Sequence, residues 1–204
     1  GLGYVGLPLL LLFAENKYQT IGIDTDLKKV KSLKANISYI SHIENRRIAS
    51  NSSYFDVTSD YSALFNCEYI VICLPTPLSE ENTGNPDVSI LNNSIHELLK
   101  YIKNGQTIVI ESTTYPGYTR EALIKPVENM GLEVGSDVFV CYSPEREDPG
   151  NQFYSTQNIP KIVSGATPAC LNKGLLLYRS VVDRVVTVSS LEVAEFTKLL
   201  ENTQ

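Results

Sequence analysis

Residues 1–17 read GLGYVGLPLLLLFAENK and residues 18–24 read YQTIGID, and these two runs decide the fold. Gly1, Gly3 and Gly6 form a G-x-G-x-x-G pattern. The first glycine permits a tight turn, the second lets backbone approach a pyrophosphate, and the third lets the following helix pack closely on a sheet. Alone the pattern is weak. The next run supplies what it lacks, a β-branched strand ending in Asp24, whose carboxylate suits both hydroxyls of an adenosine ribose and repels a 2′-phosphate. NAD is the expected dinucleotide, ahead of NADP, with Asp26 close by.

The opening run has no basic segment of the kind that starts an export signal, and it falls short of the roughly 20 apolar residues that span a bilayer. Its glycines and Pro8 suit neither role. A helix lying against a sheet explains why LPLLLLFA is apolar on nearly every side. The strand that such a helix follows is read as missing ahead of Gly1, which should leave unpaired backbone groups beside the phosphate turn.

Working outward, β-branched runs recur at 18–24, 68–75, 106–113, 137–144, 161–165 and 184–189, each short enough for a strand covered on both faces. Helix-period segments separate them. Leu27, Val30 and Leu33 make one, and Val88, Leu91, Ile95, Leu98, Leu99 and Ile102 another, after Asp87 as cap. The fold class is therefore α/β: a Rossmann-type, doubly wound, mainly parallel sheet with helices on both faces and its first strand missing. It is expected to occupy 1–188. A further helix, truncated at 204, begins at 189–204 with Ser189 and Glu192 as a capping box and Val193, Phe196 and Leu200 as an apolar stripe. Residues 36–54 and 78–87 read as irregular or turn-rich.

With 204 residues, 43% hydrophobic and 20% charged, the chain can bury a sizeable core. Its net charge of −6 argues against a nucleic-acid surface. Cys67, Cys73, Cys141 and Cys170 show neither CxxC pairing nor metal-ligand spacing, so reduced thiols in a cytoplasmic protein are expected, with no metal site and no membrane partner.

Ligands of an open parallel sheet gather at the carboxyl ends of its strands, and three such ends are chemically unusual. Leu74, Pro75, Thr76 and Pro77 form a stiff turn after one run, or simply end a strand. Glu111, Ser112, Thr113 and Thr114 follow another; their hydroxyls suit a nicotinamide or a sugar, or cap the helix after Pro116 and Gly117. The third end, YSPEREDPG, packs Glu145, Arg146, Glu147 and Asp148 between two prolines, which also fits a solvated loop. Lys198 and Asn202, four apart, share a helix face, although a lysine there commonly pairs with a neighbour such as Glu195 or Glu201.

Taken together, GLGYVGLPL, IGIDTD, LPTP, EST with PG, YSPEREDPGN and AEFTKLLEN resemble, in order and spacing, the UDP-glucose/GDP-mannose dehydrogenase family over nearly the whole chain. The SPEREDPGN wording looks most like the branch acting on UDP-N-acetylhexosamines, particularly UDP-N-acetylglucosamine. The resemblance implies oxidation of the sugar C6 alcohol to a carboxylate with two NAD reductions, through a thiohemiacetal and a thioester on a cysteine, for bacterial surface polysaccharides. It implies NAD contacts from Gly1, Gly3, Tyr4, Val5, Gly6, Asp24, Lys29, Leu74, Pro75, Thr76, Pro77, Ser112, Thr113 and Thr114. The catalytic set is Glu145, Lys198, Asn202 and Thr113, with Glu145 as base and Lys198 and Asn202 polarising the C6 oxygen and orienting water. The UDP-sugar falls to Glu145, Arg146, Glu147, Asp148, Lys198 and Asn202.

Two departures bound the resemblance. Pro149 stands where the UDP-glucose branch has a further glutamate, which disfavours UDP-glucose and leaves that role either lost or shifted to Glu147 or Asp148. The family's nucleophilic cysteine is expected beyond residue 204, so the chain alone should not turn over, and a homo-oligomer is expected of the complete protein. UDP-glucose, UDP-N-acetylmannosamine and GDP-mannose dehydrogenases remain alternatives. So do a non-catalytic dinucleotide-sensing module and a β-hydroxyacid dehydrogenase.

Overall fold

The β-branched runs fold as short parallel strands flanked by helices. The computed structural model describes residues 1–77, 86–145 and 160–202, with backbone alone at 201 and 202. The chain divides into two compact units, Gly1–Ala63 and Leu64–Gln204, a division that falls inside the stretch read as one domain. The strands correspondingly form two sheets, one of two strands and one of five.

The first unit runs α1 (Gly6–Glu15), β1 (Thr20–Ile23), α2 (Leu27–Lys34), α3 (Asn45–Asn51) and β2 (Phe55–Thr58), with β1 and β2 parallel and Thr20 opposite Phe55. Every residue of α1 from Gly6 to Ala14 is buried, as its uniformly apolar sequence requires. Pro8 is tolerated because the first-turn amides have no intrahelical acceptor to lose. Gly22 on β1 admits this packing: a Cβ there would stand 2.8 Å from the Leu2 side chain. Leu7, Leu10 and Leu11 join Val30, Leu33, Ile48 and Val57 in one core. Asp26 caps α2 by accepting from the Lys28 amide at 2.8 Å. The stretch 36–54, irregular by sequence, holds α3, and β2 follows it unmarked by any of the strand signals above.

The second unit carries β3 (Tyr69–Ile72), α4 (Ser89–Leu98), β4 (Thr107–Ile110), α5 (Lys125–Asn129), β5 (Phe139–Tyr142), β6 (Lys161–Gly165), α6 (Pro168–Arg179), β7 (Val185–Thr187) and α7 (Leu191–Asn202). The sheet order is β3-β4-β5-β6-β7. All pairs are parallel except β5 with β6, so the sheet is mainly parallel, as the alternation of strands and helices implies. All four residues of β4 are buried. Leu91, Ile95 and Leu98 form the buried face of α4. α6 lies so close to the sheet that a Cβ on Gly174 would stand 2.9 Å from Val163.

α7 differs from its expected form in two ways. Its cap is Ser190, not Ser189: the Ser190 hydroxyl accepts from the Val193 amide at 3.3 Å and its carbonyl from the Ala194 amide. Glu192 instead meets Arg120 at 3.2 Å. The apolar stripe points outward, with Val193, Phe196 and Leu200 each more than two-fifths exposed, while Leu191, Ala194 and Glu195 are buried. Helical spacing fixes which residues share a face, and packing on β5 and β6 selects the other face. Among the described residues no helix is long and apolar enough to cross a membrane.

Candidate functional site

In the first unit the glycine pattern is the turn into α1. Gly6 begins the helix, no side chain caps it, and its first turn contains no acidic residue, so the helix start keeps its positive character. A Cβ placed on Gly3 would meet no atom within 4 Å. The space beside its backbone is open, as the approach of a diphosphate requires. Tyr4 is exposed and stacks on His42.

Asp24 follows β1 and is nearly buried. Its Oδ2 accepts from the Leu2 amide at 2.8 Å and meets Lys29 Nζ at 3.1 Å, while Oδ1 accepts from the Asp26 amide at 2.9 Å. Burial works against the charge, but the Asp26 and Leu2 amides and the Lys29 ammonium outweigh it and hold the carboxyl below the ordinary aspartate value. An ionised Asp24, with acceptor positions beyond these donors, fits the two hydroxyls of an adenosine ribose. Lys29 acts on this carboxylate directly. The glycine turn and Asp24 therefore suit the phosphate and adenosine parts of NAD.

In the second unit, Ser112 ties two strand ends together. Its hydroxyl accepts from the Leu74 amide at 2.8 Å and lies 3.4 Å from the Ile72 carbonyl, while its own carbonyl accepts from Tyr142 at 3.1 Å. The Ser112 hydroxyl is thus spent inside the fold. Pro75 and Pro77 are exposed, Leu74, Thr76 and Thr113 are half-buried, and Thr114 is fully buried.

Glu145 follows β5 and Lys198 lies on α7, and the structure brings them together: Lys198 Nζ donates to the Glu145 carbonyl. Glu195, the neighbour expected to pair with Lys198, has its carboxylate on other donors. That carboxylate turns inward to the Pro116–Gly117 turn, accepting from the Gly117 amide at 2.6 Å, the Thr119 amide at 2.8 Å and the Thr119 hydroxyl at 2.6 Å. Gly117 has φ +94°, a conformation that favours glycine and presents its amide to Glu195. Burial pushes the Glu195 carboxyl above its ordinary value despite these donors. Glu195 fastens α7, and Lys198 with it, to the segment carrying Thr113 and Thr114. Asn202 ends α7; its side chain, and Arg146, Glu147 and Asp148, lie outside the described residues.

The side chain of Glu145 belongs to a buried cluster with no counterpart in the motifs. Lys161, first residue of β6, has Nζ 2.8 Å from Glu111 Oε2 and 3.5 Å from Glu145 Oε2, and Tyr178 donates to Glu111 Oε1. Burial disfavours the Lys161 charge, but Glu111 and Glu145 outweigh it and hold the ammonium above the ordinary lysine value. Burial pushes the thiols of Cys67 and Cys73 up and that of Cys141 up to about 12, so these three stay protonated at neutral pH.

A family model for the UDP-glucose/GDP-mannose dehydrogenase family, NAD binding domain, matches residues 1–182. The chain belongs to this family. Its NAD-binding domain therefore takes in both the glycine turn with Asp24 and the strand ends of the second unit. Among its relatives, Protein CapL of Staphylococcus aureus is 39% identical, over 100% of this chain and 47% of its own length. The UDP-N-acetyl-D-glucosamine 6-dehydrogenase of Pseudomonas aeruginosa is 33% identical, over 100% and 48%. Of solved structures, the UDP-N-acetyl-mannosamine dehydrogenase Cap5O of S. aureus superposes with a TM-score of 0.90 at 29% identity, over 100% of this chain and 49% of that one. The chain spans about half the length of the curated relatives it matches.

Proposed function

We propose that the chain is the NAD-binding part of a nucleotide-sugar 6-dehydrogenase that oxidises the C6 alcohol of a UDP-N-acetylhexosamine, UDP-N-acetylglucosamine first, to the uronic acid. The observation that carries this reading is the meeting of Lys198 with Glu145, from strand-end and helix positions far apart in sequence. The bond runs to the Glu145 backbone, and it brings to one place the two residue types that an alcohol oxidation followed by hydrolysis needs: an ammonium to stabilise developing negative charge on oxygen and a carboxylate to accept protons. Glu145 serves as base, Lys198 and Asn202 hold the C6 oxygen and water, and Thr113 supplies a hydroxyl. Arg146, Glu147 and Asp148 add contacts to the sugar nucleotide.

Gly1, Gly3, Tyr4, Val5 and Gly6 hold the diphosphate, and Asp24, kept ionised by Lys29, holds the ribose. Leu74, Pro75, Thr76, Pro77, Ser112, Thr113 and Thr114 serve the cofactor too, Ser112 through the strand ends that its hydroxyl fixes. NAD, when bound, takes a hydride from the carbon being oxidised. The protonated thiols of Cys67, Cys73 and Cys141 favour a nucleophile other than these three. The outward stripe of α7 supports a homo-oligomer, and the relatives named for UDP-N-acetylhexosamines support a role in surface polysaccharide synthesis in the cytoplasm.

UDP-N-acetylmannosamine is the second reading, favoured by the mannosamine dehydrogenase of Pyrococcus horikoshii, also 33% identical. Comparing kcat/KM of the whole protein across UDP-N-acetylglucosamine, UDP-N-acetylmannosamine, UDP-glucose and GDP-mannose tests both. The highest value is expected for UDP-N-acetylglucosamine, and turnover confined to another sugar nucleotide would replace it.

A further inference from the structure

Lysine is among the residues least often fully buried, and Lys161 is 4% exposed in a cluster that no sequence motif marks. An ammonium ion there is costly unless its charge is matched, and the match is uneven. Glu111 is the near partner at 2.8 Å and Glu145 the far one at 3.5 Å. Glu111 is itself fixed, because the Tyr178 hydroxyl donates to its other oxygen, while the ring of the same tyrosine lies 5.2 Å from the ammonium. Lys161 is therefore anchored on one side by groups that have no part in the proposed chemistry. On the other side it presents its charge to the one carboxylate that does.

We infer that Lys161, anchored by Glu111 and Tyr178, is a positioning residue that fixes the carboxylate of Glu145 for its work at the sugar C6. The inference rests on the reading of Glu145 as the base. Lys198 then holds this residue at its backbone carbonyl and Lys161 at its side chain. The titratable groups facing the pair are Glu111 after β4, Cys73 after β3, Tyr178 on α6 and Lys198 on α7. Of these, the buried Cys73 and Tyr178 are held protonated. Removing the Lys161 charge takes one cation away from the Glu145 side chain and leaves the Glu111 carboxylate nearby, which favours the protonated form of Glu145.

The test is steady-state kinetics of the whole protein with NAD and the UDP-sugar that it turns over best. Lys161→Met is expected to lower kcat about 100-fold, the scale of a catalytic group displaced by about an ångström, with KM for NAD nearly unchanged. The acidic limb of the kcat profile should move to higher pH by about one unit. Lys161→Arg, which keeps the charge, should recover most of the rate and the original limb. A folded Lys161→Met enzyme with the kcat and acidic limb of the wild type overturns the inference, as does an arginine variant no better than the methionine one. If Lys161→Met does not fold, Lys161→Met/Glu111→Gln removes one charge of each sign and must still show the fall in kcat, since the tie to the Glu145 side chain is gone; a folded double variant with the wild-type kcat overturns the inference. A wild type that oxidises no nucleotide sugar breaks the reading of Glu145, and the inference falls with it. A working wild type with indifferent Lys161 variants breaks the inference alone.

Discussion

The two units hold their buried carboxylates by opposite means. Asp24 of the first unit sits at a strand end among two backbone amides and one lysine, and these donors leave it more acidic than an ordinary aspartate. In the second unit Glu195 is surrounded by three donors yet is less acidic than an ordinary glutamate, because it is fully buried. Glu111 and Glu145 share a single lysine. An ionised carboxylate at a strand end suits hydrogen bonding to ribose hydroxyls, whereas carboxylates shut in with a lysine or with a raised value suit proton transfer or clamping. On the proposed function, recognition belongs to Asp24 and chemistry to Glu145.

The comparison breaks most visibly at Glu145. Glu145→Gln in the whole protein is expected to lower kcat by about 10²- to 10⁴-fold, the usual contribution of a general base, while NAD affinity stays near that of the wild type. A parallel loss of NAD affinity would place Glu145 on the recognition side. Asp24→Asn should do the reverse: NAD affinity, measured by titration, falls by about 10-fold or more as a charged acceptor becomes a neutral one, and discrimination against NADP weakens. At saturating NAD its kcat should change little. Lost turnover with intact NAD binding would erase the contrast between the units.

The smallest effect is in stability against pH, and there the two carboxylates should act with opposite sign. Asp24 has a lowered value in the fold, so its contribution is present above its ordinary value of 3.8 and is lost as pH falls through the lowered one. Glu195 has a raised value, so its contribution is complete below its ordinary value of 4.5 and is lost as pH rises through the raised one. In urea unfolding, wild type should gain on Glu195→Gln as pH falls from 7 towards 4.5. Its lead over Asp24→Asn should hold across that range and shrink only in stronger acid. Both differences moving the same way would contradict the assignment.

Much of this was legible in local sequence. The glycine turn, Asp24 and six of the seven strands follow from patterns a few residues long, because tight turns and β-branched runs act on their immediate neighbours. FDVT of β2 gives too short a run to stand out beyond an irregular stretch. Lys161 and Glu195 were illegible for a different reason. A lysine opening a strand and a glutamate on an amphipathic helix both read as surface residues, and only the folded chain brings Glu111, Glu145 and Tyr178, or Gly117 and Thr119, against them. The outward stripe of α7 teaches the same lesson, since spacing defines two faces and the sheet chooses between them.

The most direct measurement of the central claim is the stoichiometry of the whole protein: NADH formed per UDP-N-acetylhexosamine consumed, with the product read by mass. Two NADH per sugar and a uronic acid product are predicted, since an alcohol becomes a carboxylate by loss of four electrons. One NADH with an aldehyde product, or no NADH with any nucleotide sugar, would contradict it.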